Sequence, residues 1–307
     1  MANPSVMRAA VIGLGRMGMH HVRACSDASN LNLVAVFDER ADTTEQVAKE
    51  TGSQAITNLE GLVGLVDVAV IAVPTQYHAT MAVPLLRSGV SCLVEKPISA
   101  TKDDAIAMID AAADCDACLR IGHVERFNPA ITLLKSILKD DLENGSRIKS
   151  ISARRLNLAS DRSYDVDAVL DLMIHDLDLL NTIRVGAVTA IECTPGSTEH
   201  RATSTLTLDT GVSASFDVSR VAETQDRGLS IETTSSTFDL DFTAKTVTHT
   251  VDGIPKALVV DAIDPLRTQL ASFIAAVGGA ESDVATGQDG LVALQLANRV
   301  RAGAGLL

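Results

Sequence analysis

The feature that most restricts the fold of this chain is a glycine run wedged between an apolar stretch and a helical one. Ala9-Ala10-Val11-Ile12 is followed by Gly13-Leu14-Gly15-Arg16-Met17-Gly18, and helical periodicity then runs from Met17 to Cys25. An apolar run without alternation reads as a strand covered on both faces, and its abrupt return into a helix makes the first corner of a βαβ unit. The pattern repeats. LNLVAVFD, VDVAVIAVP, VSCLVEKP and CLRIGH read as further strands, with helices over TTEQVAKETG, HATMAVPLLRSG and TKDDAIAMIDAAAD between them, the last opened by Thr101 as its cap. Right-handed crossovers wind such strands into one doubly wound parallel sheet, a Rossmann arrangement assigned to residues 1–122.

Past about residue 150 the rhythm changes. RIKSISARRLN, TSTLTLDTGVSASFDVSR, LSIETTSSTFDLDF and TVTHTVDGIPKALVVD alternate apolar with Thr- and Ser-rich polar positions, the period of strands with one wet face. Asp209-Thr210-Gly211 and Asp252-Gly253 punctuate them as hairpin turns. PLRTQLASFIAAVGG and GLVALQLANRVRAG close the chain as helices. Residues 123–307 are therefore expected to form an α+β domain with a large, mostly antiparallel open sheet, and the whole chain to be α/β.

Composition narrows the functional classes. The formal charge is -13 over 307 residues, which disfavours a nucleic acid partner, because so acidic a surface repels phosphate backbones. Neither a span-length apolar run nor a charged-then-apolar leader is evident, so the reading is no membrane and a cytoplasmic location. The five cysteines are scattered in apolar contexts and read as reduced thiols. Cys115 and Cys118 form a lone C-x-x-C without a second pair, so no metal is expected.

Gly13, Gly15 and Gly18 match G-x-G-x-x-G in the strand-to-helix setting that its mechanism requires. Gly13 serves the tight turn, Gly15 the close approach of a pyrophosphate, and Gly18 the helix–strand packing. Arg16 and Met17 open the helix whose free N–H groups face the anion. Asp38 ends the second strand, where an acid accepts hydrogen bonds from an adenosine ribose and repels a 2′-phosphate. NAD is therefore favoured, although Arg40 nearby leaves NADP open.

Strand ends on the carboxyl side carry the remaining cofactor candidates: Pro74, Thr75 and His78 after the third strand, and Glu95, Lys96 and Pro97 after the fourth. His78 either points into the crevice or lies along its helix. Lys96, beside a positively charged nicotinamide, can polarise a substrate hydroxyl. In AVLDLMIHDLDLL, Asp171, His175 and Asp178 fall at i, i+4 and i+7 and share one helical face among apolar neighbours. Such a stripe faces water or lines a polar cavity; with a cofactor domain upstream, His175 reads as the base that takes a hydroxyl proton and Asp171 as the group that orients it. Glu125, Arg126 and Asn128, in GHVERFNPA, suit recognition of hydroxyls and phosphates, and Asn128-Pro129 equally reads as a helix cap.

Taken together and in this order, GLGRMG, VPTQYH, EKPIS and DLMIHDLD resemble the glucose-fructose oxidoreductase/inositol dehydrogenase (Gfo/Idh/MocA) family over nearly the whole chain. The resemblance implies an NAD(P)-dependent oxidoreductase with Lys96, Asp171 and His175 as the catalytic lysine, aspartate and histidine, and with Asp178 in the substrate pocket. It also implies a homodimer or homotetramer formed through the C-terminal sheet. Within the family, GHVERFNPA and ARRLNLASDRSYDVDAVLDLMIHDLDLL are most similar to members that oxidise nucleotide sugars. That implies carbon 3 of a UDP-N-acetylhexosamine as the reacting position and Arg155 and Arg162 as diphosphate contacts. A free inositol or monosaccharide is the alternative substrate; a non-catalytic NAD-binding sensor is the alternative of another class. Asp167-Ala168 departs from the glycine-containing pair expected before the catalytic helix.

Overall fold

The computed structural model describes residues 6–161 and 163–307, and it divides into two compact units. The first unit comprises Met1–Val124 and Asp264–Leu291, the second Glu125–Ile263 and Val292–Leu307. Residues 264–291, placed with the second half when read in chain order, belong with the first unit.

In the first unit, β1 (Met7–Ile12), β2 (Leu31–Phe37), β3 (Gln54–Ala55), β4 (Val68–Ile71), β5 (Ser91–Val94) and β6 (Leu119–Ile121) are parallel, in the order β6-β5-β4-β1-β2-β3. Ala9 to Ile12 and Val68 to Ile71 are almost wholly enclosed, as strands covered on both faces must be. Helices α1 (Arg16–Asp27), α2 (Ala41–Thr51), α3 (His78–Arg87) and α4 (Lys102–Asp114) connect them. Gly52, in the left-handed region, ends α2, and Thr101 Oγ1 accepts from Asp104 N–H to open α4. The returning segment supplies a helix, Pro265–Val277, which packs on α1, and a short strand, Ala285–Thr286, which pairs antiparallel with β6. Neither contact has a local sequence signal, which is why reading in chain order separates them.

The second unit is built on eight strands: β7 (Ile148–Leu158), β8 (Val188–Cys193), β9 (Arg201–Leu208), β10 (Ser213–Ala222), β11 (Asp226–Thr233), β12 (Ser236–Asp241), β13 (Thr246–Val251) and β14 (Ile254–Leu258). Their order is β14-β13-β12-β11-β7-β10-β9-β8, antiparallel except between β7 and β10. Asp252 and Gly253, both at positive φ, turn β13 into β14. Helices α5 (Pro129–Glu143) and α6 (Ile174–Ile183) cover one face: Ile131 and Leu134 of α5 and Leu179, Leu180 and Ile183 of α6 meet Ile151, Phe216, Leu229 and Ile231 of the sheet. The last helix, Gly287–Gly303, begins in the first unit and ends in the second. Among the described residues no helix is long and apolar enough to cross a membrane.

Candidate active site

Two of the three glycines in the turn are required by close backbone contacts, and the third is not. Gly13 sits at φ +87°, and a Cβ there would come within 2.7 Å of the Ala72–Val73 backbone. A Cβ on Gly18 would overlap the Gly13 carbonyl. At Gly15, by contrast, a Cβ would meet nothing within 4 Å. Gly15 is also the N-cap of α1, whose first N–H groups have no side-chain acceptor from that position. Arg16 is exposed and Met17 half-buried beside it.

Asp38 is fixed against this turn. Its Oδ2 accepts from Leu14 N–H at 2.7 Å, and its Oδ1 accepts from Arg40 N and Nε at 3.0 and 2.9 Å. Burial alone would push the carboxyl up, but the bonds from Arg40 and Leu14 outweigh it and hold Asp38 below its ordinary value. Asp38 is thus anionic and fixed by the Leu14 and Arg40 N–H groups together with the Arg40 guanidinium, an arrangement whose residues fit a dinucleotide.

Lys96 is the second residue after β5 and is half-buried, with a cis peptide bond to Pro97. Glu95 is 7% exposed: its Oε1 is 2.7 Å from His21 Nε2 on α1, and its Oε2 accepts from Lys96 N–H. Its carboxylate fills the place where a side chain on Gly122 would go, since a Cβ there would lie 3.0 Å away. Glu95 is therefore part of the sheet's polar interior rather than a group presented to a cofactor. His78 is likewise enclosed. Its Nδ1 lies 3.0 Å from Pro97 O and 3.2 Å from Ile98 O, and its Nε2 lies 3.0 Å from Val73 O. The ring ties the loops after β4 and β5 together instead of facing a crevice, and burial pushes its pKa down. Pro74 is exposed, while Thr75 is buried in a single 3-10 turn ahead of α3.

In the second unit the stripe on α6 does not face water. Asp171 and Asp178 are 9% and 1% exposed, and His175 is half-buried. Nor is the helix uniform: Val169–Met173 forms a π turn, so Asp171 is carried on an irregular turn and His175 on the regular helix that follows. Asp167 opens that turn, accepting from Val169 and Leu170 N–H through Oδ1 and from Arg301 Nε through Oδ2. The departure at Asp167-Ala168 is thus a side-chain cap in place of glycine freedom.

Arginines from other elements hold three aspartates of this segment. Arg126 grips Asp178 through two bonds of 2.7 and 2.6 Å, Arg155 grips Asp176 through two of 2.8 Å, and Arg220 lies 3.6 Å from Asp171. Arg155 also donates to Glu125 at 2.8 Å. Burial would lower the Arg155 pKa, but the charges of Asp176 and Glu125 raise it. The expectation that Arg155 contacts a diphosphate is overturned by this placement: its side chain is 0% exposed and its guanidinium is shared between two carboxylates. Its inward position follows from strand parity with Ile151 and Ala153. Glu125, for its part, accepts from Arg155 and Asn128, and Asn128 caps α5 by accepting from Ala130 N–H, so the helix-cap reading of Asn128-Pro129 holds. Arg162 lies outside the described residues. The sequence reading missed His21, Asp176 and Arg220; a charged residue at a core-facing parity is the signal that would have found the last.

Residues 7–123 match the family model described as the oxidoreductase family with an NAD-binding Rossmann fold, GFO_IDH_MocA. The chain is 31% identical over 311 residues to the UDP-N-acetylglucosamine 3-dehydrogenase of Acidithiobacillus ferrooxidans, covering 96% of each. The chain belongs to the Gfo/Idh/MocA oxidoreductase family. Crystal structures of that A. ferrooxidans enzyme superpose with TM-scores of 0.89 and 0.90 at 29% identity, over 97% of both chains. The inositol 2-dehydrogenase of Corynebacterium glutamicum is 26% identical over 61% of this chain and 56% of its own. As a member of this family the protein is an NAD-binding oxidoreductase acting on CH–OH groups, with a mixed α/β fold of one largely parallel and one largely antiparallel sheet.

Proposed function

We propose that this oxidoreductase oxidises the carbon-3 hydroxyl of a UDP-N-acetylhexosamine, with NAD as acceptor. The observation that carries the reading is the likeness to UDP-N-acetylglucosamine 3-dehydrogenase across both units, 96% of each chain, where the inositol dehydrogenase match covers 61% of this one. Gly13, Gly15, Gly18 and Asp38 would hold the dinucleotide, aided by Arg16, Met17, Arg40, Pro74, Thr75 and Pro97. Bound NAD supplies the hydride acceptor.

His175 takes the hydroxyl proton, and Lys96 donates a hydrogen bond to the same oxygen, stabilising the negative charge that develops as the proton leaves. Asp171 orients the histidine. The carbon loses hydride and the oxygen its proton, which leaves a ketone. Arg126, Glu125, Asn128 and Asp178 would shape the substrate site through the ion pairs and hydrogen bonds described above, and Arg162 is the remaining candidate for the diphosphate. We further infer a cytoplasmic homodimer or homotetramer assembled through the second sheet; five free cysteines suit a reducing compartment.

The test is NADH formation with UDP-N-acetylglucosamine, UDP-N-acetylgalactosamine and free inositols, repeated with NADP. The nucleotide sugars are expected to react, and Lys96→Met and His175→Ala each to lower kcat/KM by about 10²–10⁴-fold. Turnover of inositol alone would transfer the reading to the free polyol. Loss of neither activity in the two variants would remove these residues from the chemistry.

A further inference from the structure

Arg220 lies at an irregularity of β10. Ser219 pairs with Leu156 of β7, but the next pairing joins Ala222 to Leu158, so β10 carries one extra residue at this point. Arg220 has the core-facing parity of Ala214, Phe216 and Val218, and it is 3% exposed. A guanidinium on an apolar face costs several kcal/mol (roughly) unless its protons find acceptors. Here Nη1 donates to the carbonyl of Val166 at 2.9 Å and Nη2 to that of Glu199 at 2.6 Å. The guanidinium lies 3.9 Å from the centroid of the Tyr164 ring, and Nη1 stands 3.6 Å from Asp171 Oδ2. One cation therefore joins the segment 163–168, the approach to β9 and the carboxylate borne by the π turn. Two departures from regular backbone, an extra residue in a strand and a wide turn in a helix, face each other across that ion pair.

We propose that Arg220 is a positioning residue that couples the order of the segment 163–168 to the placement of Asp171. The proposal rests on the reading that Asp171 works with His175. While Val166 and Tyr164 hold the guanidinium, its charge holds the aspartate across 3.6 Å; when the segment lifts, the cation loses the two partners that keep it there. Lysine is no substitute, because a point charge serves one acceptor at a time, whereas the planar fork serves two carbonyls, a ring face and a carboxylate together. The coupling is reciprocal, so a change at Asp171 is felt in the segment.

The experiment compares wild type with Arg220→Gln, Arg220→Lys, Tyr164→Leu and Asp171→Asn as the NAD-bound enzyme, reading turnover of UDP-N-acetylglucosamine and amide hydrogen exchange across 163–168. Arg220→Gln is expected to lower kcat about a hundredfold while KM for the sugar rises by less than about tenfold and NAD affinity holds. Arg220→Lys should regain part of kcat, while exchange in 163–168 stays fast. Tyr164→Leu should speed that exchange and raise KM more than it lowers kcat, and it carries the test if Arg220→Gln does not fold. Asp171→Asn should also speed exchange in 163–168. Exchange unchanged in both Asp171→Asn and Arg220→Gln, or a kcat for Arg220→Gln within about twofold of wild type, overturns the proposal. Should wild type turn over no nucleotide sugar, the substrate reading fails alone, because the exchange comparison needs no turnover.

Discussion

In the first unit, Asp38 is aimed by the N–H groups of Leu14 and Arg40, and His78 by the carbonyls of Val73, Pro97 and Ile98. In the second, Asp171, Asp176 and Asp178 are held by the side chains of Arg220, Arg155 and Arg126. The first arrangement draws its accuracy from the main chain, so its weak points are the glycines that allow the chain its path. The second draws it from paired charges removed from water, so its weak points are the partners: deleting one member strands the other in a low-dielectric interior.

The largest effect is expected where that contrast is sharpest. Arg155→Met leaves Asp176 and Glu125 without their shared cation and should destabilise the protein by about 3–5 kcal/mol, measured by denaturant unfolding. Replacing Arg155 and Asp176 together by Met and Leu should recover much of that loss; if it does not, packing rather than charge is what the arginine provides. Next comes the glycine pair. Gly13→Ala forces both a left-handed φ and a collision with the Ala72–Val73 backbone, and should cost about 2–4 kcal/mol. Gly15→Ala meets open space, so unfolding should shift by less than about 0.5 kcal/mol while NAD affinity, read by calorimetry, falls. Equal stability losses at the two glycines would erase the distinction between scaffold and ligand face.

A smaller effect is read from pH. Burial raises Glu125, but Arg155 and Asn128 outweigh it and hold the carboxyl below its ordinary value. A depressed folded value means stability that is present above the unfolded value of about 4.3 and lost as pH falls through the folded one. Glu125→Gln should therefore flatten the acid limb of a stability–pH curve below about pH 4.5 and leave its neutral slope alone. The smallest effects are the two helix caps. Thr101→Ala in the first unit and Asn128→Ala in the second should each cost about 1 kcal/mol, with Asn128→Ala costing more because it also removes a donor to Glu125.

Much of the first unit could be read from apolar runs and glycine spacing, because strands buried on both faces and tight phosphate turns leave local marks. The caps at Thr101 and Asn128 were legible for the same reason. What a residue touches across the fold was not. His78 and Arg155 each looked available for a ligand, and each is enclosed by partners that include residues 20 or more positions away. Arg155 could have been recognised from strand parity with Ile151 and Ala153. The π turn at Val169–Met173 leaves no compositional mark, so the simple i, i+4 relation of Asp171 to His175 was drawn on a helix more regular than the real one. The return of 264–291 to the first unit is a matter of surface complementarity between helices far apart in sequence, which periodicity cannot report.

That return has a consequence for biosynthesis. The helix that covers α1 and the strand that pairs with β6 emerge from the ribosome only after the 139 residues from Glu125 to Ile263 have been made. At cellular elongation rates this delay is on the order of 10 seconds. During it the nascent nucleotide-binding half keeps an apolar helix face and a sheet edge bare, the interval in which chaperone capture or premature association with a neighbouring chain on the same message would occur.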